Sequence, residues 1–145
     1  MKICKINNDN VFKVLQLDNA IFDYDKYNLE TLKDFLTNDN YINLCAIIDD
    51  EIVGYIIVFS IFDEGCLIKI ATNPKFQNNG IATKLFNTAK EELLKKGVTN
   101  IYLEVSSENT VAINFYNKKG FITESVRKSY YNNGDDALIM WLRDL

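Results

Sequence analysis

The chain has 145 residues, 48% of them hydrophobic and 25% charged, with a formal net charge of −4. That balance fits one globular domain spanning residues 1–145 with a continuous core. The negative charge excludes a general nucleic-acid binder, which needs a basic face, and suits a cationic or amine substrate.

Lys2 to Ile6 reads as a first strand. Asn8 or Asp9 is placed to cap a helix whose inner face carries Val11, Phe12, Val14 and Leu15. A second helix is expected over Leu29 to Leu36, ending at Asn38-Asp39-Asn40. Leu44 to Ile48 and Ile52 to Phe62 read as strands joined by a hairpin turn at Asp49-Asp50-Glu51. The second of these is apolar on both faces and belongs inside a sheet. It is interrupted by Gly54 and Ser60 and is too short to span a bilayer, so no membrane association is expected.

Asp63-Glu64-Gly65 turns the chain into a strand from Cys66 to Thr72. Beyond a loop, Ile81, Leu85, Ala89 and Leu93 recur every fourth residue with Phe86 and Leu94 beside them, predicting an amphipathic helix to about Lys96, stopped by Gly97. Thr99 to Ser106 alternates, with Ile101, Leu103 and Val105 on one face and Tyr102, Glu104 and Ser106 on the other. Asn109 to Lys119 reads as a short helix closed by Gly120, and Phe121 to Val126 and Ala137 to Leu142 as two last strands. The order β-α-α-β-β-β-α-β-α-β-β calls for a mixed sheet flanked by helices. Cys4, Cys45 and Cys66 are scattered among apolar neighbours and read as buried free thiols of a reducing compartment. No basic-then-apolar segment near Met1 marks a secretory signal, so a cytoplasmic location is expected.

The loop before the long helix reads Gln77-Asn78-Asn79-Gly80-Ile81-Ala82. Small residues entering a helix gather unpaired backbone N–H groups at the positive end of its dipole, which binds phosphate without a charged side chain. Gly80 and Ala82 are the positions where a bulky side chain would keep an anion from the backbone. In a chain rich in Asn, the same letters also serve an ordinary tight turn. Neither G-x-x-x-x-G-K-[ST] nor G-x-G-x-x-G is present.

Gln77, Gly80 and Ala82 match the [Q/R]-x-x-G-x-[G/A] signature that follows the fourth strand in the GNAT superfamily of acetyl-CoA-dependent N-acetyltransferases, which this chain resembles. Asn109, Tyr116 and Gly120-Phe121 match its second landmark, in the right order. The resemblance covers nearly the whole chain. It implies an α/β (α+β) GNAT fold, with a mixed, mostly antiparallel sheet of about seven strands and about four flanking helices. Within the superfamily, the C-terminal half is similar to the bacterial ribosomal-protein-alanine N-acetyltransferases. Leu103-Glu104-Val105, Ala112-Ile113, Arg127, Tyr130-Tyr131, Gly134, Asp136-Ala137 and Ile139-Met140 carry that similarity. The chain departs from that family at Ser106 and Glu108, where Arg and Ser are usual, and at Phe22-Asp23-Tyr24, where a Phe-Pro-Trp-like stretch is usual. These regions help form the acceptor side.

The resemblance implies acetyl-CoA as cosubstrate and no metal. The pyrophosphate would lie on Asn78, Asn79, Gly80, Ile81, Ala82 and Thr83, with Gln77 opening the loop, and the pantetheine arm along Ile70, Ala71 and Thr72. Glu104 is the candidate general base; an alternating strand also places a Glu on its polar face for no catalytic reason. Tyr116 is the candidate general acid, or a core aromatic; Phe115 and Tyr116 are not expected to point the same way. Asn109 bonds the pantetheine, caps its helix, or does both. Arg127, Tyr130 and Tyr131 would sit over the acceptor, or form an exposed aromatic turn. The chain has no His, which excludes Ser-His and Cys-His nucleophile systems and fits direct transfer to an amine. Asp49-Asp50-Glu51 and Asp135-Asp136 lack metal-ligand spacing and read as solvated turns. The expected acceptor is a protein N-terminus, with the Ala of ribosomal protein S18 leading. A small amine, polyamine or lysine is the first alternative and a CoA-binding module without turnover the second. A monomer or weak homodimer is expected.

Overall fold

Residues that tolerate a left-handed backbone decide where the first strands reverse. Asp49 and Asp50 have φ of 49° and 64°, the two positive values that a tight two-residue hairpin of right-handed strands requires. Phe62, at φ 54°, opens a second two-residue turn with Asp63. The computed structural model describes residues Met1 to Leu145. In chain order they form β1 (Lys2–Lys5), α1 (Val11–Ile21), α2 (Leu29–Leu36), β2 (Tyr41–Ile48), β3 (Glu51–Ile61) and β4 (Glu64–Thr72). A 3-10 turn (Pro74–Phe76) then leads to α3 (Ile81–Lys95), β5 (Asn100–Ser106), α4 (Thr110–Lys118), β6 (Ile122–Arg127) and β7 (Ala137–Leu142).

The seven strands make one sheet in the order β1-β2-β3-β4-β5-β7-β6. Every pairing is antiparallel except that of β4 with β5. The expected GNAT architecture is therefore present. β3 lies inside the sheet and is buried along nearly its whole length, as its unbroken apolar run requires. One core lies between the sheet and α3, with Leu85, Phe86 and Leu93 packed on Ile56, Val58 and Leu103. The other lies under α1 and α2, where Val11, Val14 and Leu32 meet Tyr55 and Ile57. No helix is long and apolar enough to cross a membrane.

Four local expectations need correction. The cap of α1 is Asn10, while the Asn7 side chain accepts the Asn10 amide at 3.1 Å. The buried face of α1 is Val11, Val14, Leu17 and Asp18. Phe12 is 56% exposed, with the Lys33 ammonium 5.9 Å from its ring centre; the stripe that buries Asp18 rotates Phe12 into solvent. β4 begins at Glu64, because Glu64 and Gly65 pair with Ile61 and Ser60 on one side and Asn100 and Ile101 on the other. All three cysteines are free, but only Cys45 is fully buried; Cys4 and Cys66 are half-buried.

Two features of β4 create the space described next. Its ladder with β3 runs Ile57 to Lys69 and then Val58 to Leu67, so Ile68 is an extra residue, a β-bulge. A bulge reverses which face the following side chains occupy. Leu67 accordingly packs in the α3 core and Ala71 in the α1–α2 core, although they are four residues apart. In addition, β4 pairs with β5 only from Glu64 to Cys66, and the two strands then diverge.

Candidate active site

The divergence of β4 and β5 opens a cavity of about 610 Å³. Its walls are the far half of β4, the loop into α3, the end of β5 and the first turns of α4. Six consecutive amides at one end, Asn78 to Thr83, donate to no other protein atom. The first amides of any helix lack a carbonyl partner. In α2 and α4, Asn28 and Asn109 side chains satisfy one of them; α3 has no side-chain cap. Its cap residue, Gly80, has φ +72° and open space where a Cβ would project. Asn78, at φ 65°, bends the loop the same way. Open amides at a helix N-terminus hold an anion.

Nearly all the residues expected on the cofactor side meet here. Gln77, Asn78, Gly80, Ile81, Ala82 and Thr83 line the cavity, as do Ile70, Ala71, Thr72 and Asn109. Asn109 also caps α4, accepting the Ala112 amide at 3.2 Å. Asn79 is not a wall residue: its side-chain amide donates to the Phe76 carbonyl at 2.9 Å and braces the loop.

Glu104, on the polar face of β5, and Tyr116, on α4, reach the same space. Tyr116 is also a core aromatic, 7% exposed, edge-on to Phe121 at 5.7 Å. Phe115 lines the cavity beside it, so both aromatics face inward. Burial, and then the nearby Tyr131 phenol, push the Tyr116 hydroxyl up to about 12. It is a neutral proton donor at any physiological pH.

Of the three residues expected over the acceptor, only Tyr131 lines the cavity. Its phenol is raised by burial, then by the charges of Glu104, Tyr130 and Asp25. Tyr130 packs edge-on to Tyr131 at 5.2 Å, and the Arg127 guanidinium lies 5.5 Å from the Tyr130 ring centre. Ser106 explains why this hairpin folds over the cavity. Its hydroxyl bonds Asp135 at 3.0 Å, and the Ser107 amide donates to the Asp136 carbonyl at 2.9 Å.

Phe22, from the stretch expected on the acceptor side, lines the cavity together with Asp25 and Lys69, two residues that sequence reading missed. The signals were a lone Lys inside an apolar strand and an Asp on the Val11–Val14 stripe of α1.

A family model described as "Acetyltransferase (GNAT) family" matches residues 9–121. The chain belongs to that family and is an acetyl-CoA-dependent acyltransferase. Among curated relatives, the [ribosomal protein bS18]-alanine N-acetyltransferase of Salmonella typhimurium is 35% identical over 107 residues, 72% of each chain. Its counterpart in Escherichia coli K12 is 33% identical over 115 residues, 76% of this chain and 78% of the relative. The crystal structure of the E. coli ribosomal-protein-S18-alanine N-acetyltransferase superposes with a TM-score of 0.86 at 26% identity, covering 99% of this chain and 93% of that one. The PaiA N-acetyltransferase of Thermoplasma acidophilum, solved with coenzyme A, shares the fold with a TM-score of 0.83 at 22% identity, covering 98% of both chains.

Proposed function

We propose that the enzyme acetylates the N-terminal α-amine of a protein, with the alanine of a bS18-type ribosomal protein as acceptor. One observation carries the reading: an open amide cradle, a carboxylate and a protonated phenol line one continuous cavity. Relatives named for that acceptor, at 33% to 35% identity, support it.

The amides of Asn78 to Thr83 fit a pyrophosphate, and the main chain of Ile70 to Thr72, unpaired on its β5 side, fits an extended pantetheine arm. Acetyl-CoA supplies the acetyl group as a thioester, whose carbonyl carbon the amine attacks. A main-chain N–H of the Ile70–Thr72 segment would stabilise charge developing on that carbonyl oxygen. Glu104 takes the proton of the acceptor ammonium, directly or through water. An α-amine has a pKa of ~8 against ~10.4 for lysine, so an N-terminal acceptor needs the smaller assistance. As the C–S bond breaks, Tyr116 gives a proton to the departing thiolate, whose conjugate acid lies near ~8.5, and is restored by the second proton that the acceptor nitrogen loses on becoming the amide. No covalent enzyme intermediate is required.

The test is a panel of peptides beginning with Ala, Ser or Met, together with spermidine and acetyl-lysine precursors, scored by release of free CoA thiol. Preference for the Ala-initiated peptide is expected; reaction with small amines alone would overturn the acceptor. Tight acetyl-CoA binding by calorimetry without turnover on any amine would overturn the catalytic reading.

A further inference from the structure

Asp18 and Lys69 are the two charged residues that the fold buries, 0% and 8% exposed. The bulge at Ile68 aims Lys69 at α1 rather than into the α3 core occupied by Leu67. Its Nζ lies 2.7 Å from Asp18 Oδ1 and donates to the Asp25 carbonyl at 2.6 Å. The same ammonium sits 3.9 Å from the Phe22 ring centre and 4.2 Å from that of Tyr27, within cation–π range of both. Beneath it, Asp18 accepts the Tyr55 hydroxyl, and its second oxygen accepts the Tyr27 amide at 2.7 Å.

The segment from Phe22 to Asn28, between α1 and α2, has no helix or strand of its own. A carbonyl, an amide and two ring faces of that segment converge on this one pair. A buried ion pair adds little stability over apolar residues of the same volume. What Lys69 supplies that Leu or Met would not is a grip on a carbonyl and two aromatic faces. The gripped segment is a cavity wall, since Phe22, Asp25 and Lys69 all border it, together with Glu104 and Tyr131. The Asp25 carboxylate belongs to none of the three ion pairs in the chain, and its charge acts on the Tyr131 phenol.

We propose that Lys69 is a positioning residue for the acceptor: it clamps the Phe22–Tyr27 segment as the acceptor wall and thereby holds the Asp25 carboxylate beside the incoming cationic amine. The inference rests on the acetyl-transfer reading above. It is tested with wild type, Lys69→Met, Lys69→Arg and the double variant Asp18→Asn/Lys69→Met, which removes both buried charges and keeps the readouts available if Lys69→Met does not fold.

For Lys69→Met and the double variant, the KM for an Ala-initiated basic peptide should rise about tenfold or more, while the calorimetric Kd for acetyl-CoA stays within about twofold. Amides 22–28 should exchange hydrogen faster than in wild type, and Lys69→Arg, which keeps the charge and the donors, should recover most of the peptide KM. An unchanged peptide KM, or a loss of acetyl-CoA affinity in proportion to the rise in KM, overturns the positioning role. Unchanged exchange over 22–28 overturns the clamp. A wild type that acetylates the peptide while the variants keep its KM sinks this inference alone. A wild type that acetylates no amine sinks the proposed function and this inference with it.

Discussion

Gly54→Ala tests the packing beneath the open amides at the start of α3. A Cβ at Gly54 would lie 2.9 Å from the Ala71 carbonyl oxygen, 2.9 Å from Ile81 Cγ2 and 3.2 Å from Leu85 Cδ1. Carbon contacts are comfortable at about 3.5–4.0 Å, so roughly 0.6 Å of movement has to be found. Ile81 is the first residue of α3 and can shift only with the helix start; Ala71 is held in register opposite Tyr55. Overpacking of this kind costs about 1–3 kcal/mol. At this chain length that corresponds to a fall in Tm of roughly 3–9 °C by calorimetry. Because Ala71 and Ile81 are both cavity walls, acetyl-CoA affinity should fall as well, by about tenfold for each ~1.4 kcal/mol of displaced contact. Gly80→Ala is the control. Its Cβ meets nothing within 4 Å, so only the left-handed backbone penalty of about 1–2 kcal/mol applies, with no shift of the sheet. A Gly54→Ala protein that melts with wild type and binds acetyl-CoA equally well would refute the packing argument.

Tyr116→Phe keeps the ring and removes the proton donor, so kcat should drop by ~10²-fold or more while the acetyl-CoA Kd barely moves; unchanged turnover would end the acid role. Glu104→Gln should cost a similar factor near neutrality, with activity partly restored as pH rises through the acceptor's own pKa of ~8, where the amine loses its proton unaided. Burial raises Tyr116 to about 12, so its donor form persists up to that value. The alkaline limb of kcat should therefore not fall near the unperturbed phenol value of ~10; a fall there, removed by Tyr116→Phe, would contradict the buried environment. The same sign applies to stability: the contribution of the protonated Tyr116 is complete below ~10 and lost as pH climbs toward its folded value. Gly80→Val puts a β-branched side chain at φ +72° beside the open amides. Titration calorimetry should show acetyl-CoA binding weakened by at least about tenfold, and retained affinity would remove the anion cradle from the account.

Elements whose pattern repeats were legible in the sequence. The four-residue spacing from Ile81 to Leu93 gave α3, the alternation from Ile101 to Val105 gave β5, and the two-faced apolar run gave the interior position of β3. The open amides before α3 were legible too, because they lie in contiguous residues around a left-handed Gly80. What escaped depends on register or on partners distant in sequence. An alternating pattern carries no mark of the extra residue at Ile68, so the reversal of face between Leu67 and Ala71 could not be read. The orientation of α1 follows from Asp18 meeting Lys69, 51 residues away, and local periodicity left Phe12 and Val14 equally eligible for the inside. Ser106 stood out only as a departure from a family pattern, whereas its bond to Asp135 closes a hairpin that lies beyond α4.

The brief union of β4 with β5 divides the molecule into two leaves. One holds β1 to β4 with α1, α2 and α3; the other holds β5, β7, β6 and α4. They are joined by three paired positions at Glu64 to Cys66 and by the core that α3 shares with Leu103 of β5, where Phe86 meets Phe121 at 5.8 Å. Ala82 on one leaf and Asn109 on the other border the same cavity, so a cosubstrate held as proposed above would act as a staple. Saturation at ~100 times Kd would then add about 2.7 kcal/mol of stability, and the slowed hydrogen exchange should concentrate along the facing edges of the two leaves instead of spreading through the cores.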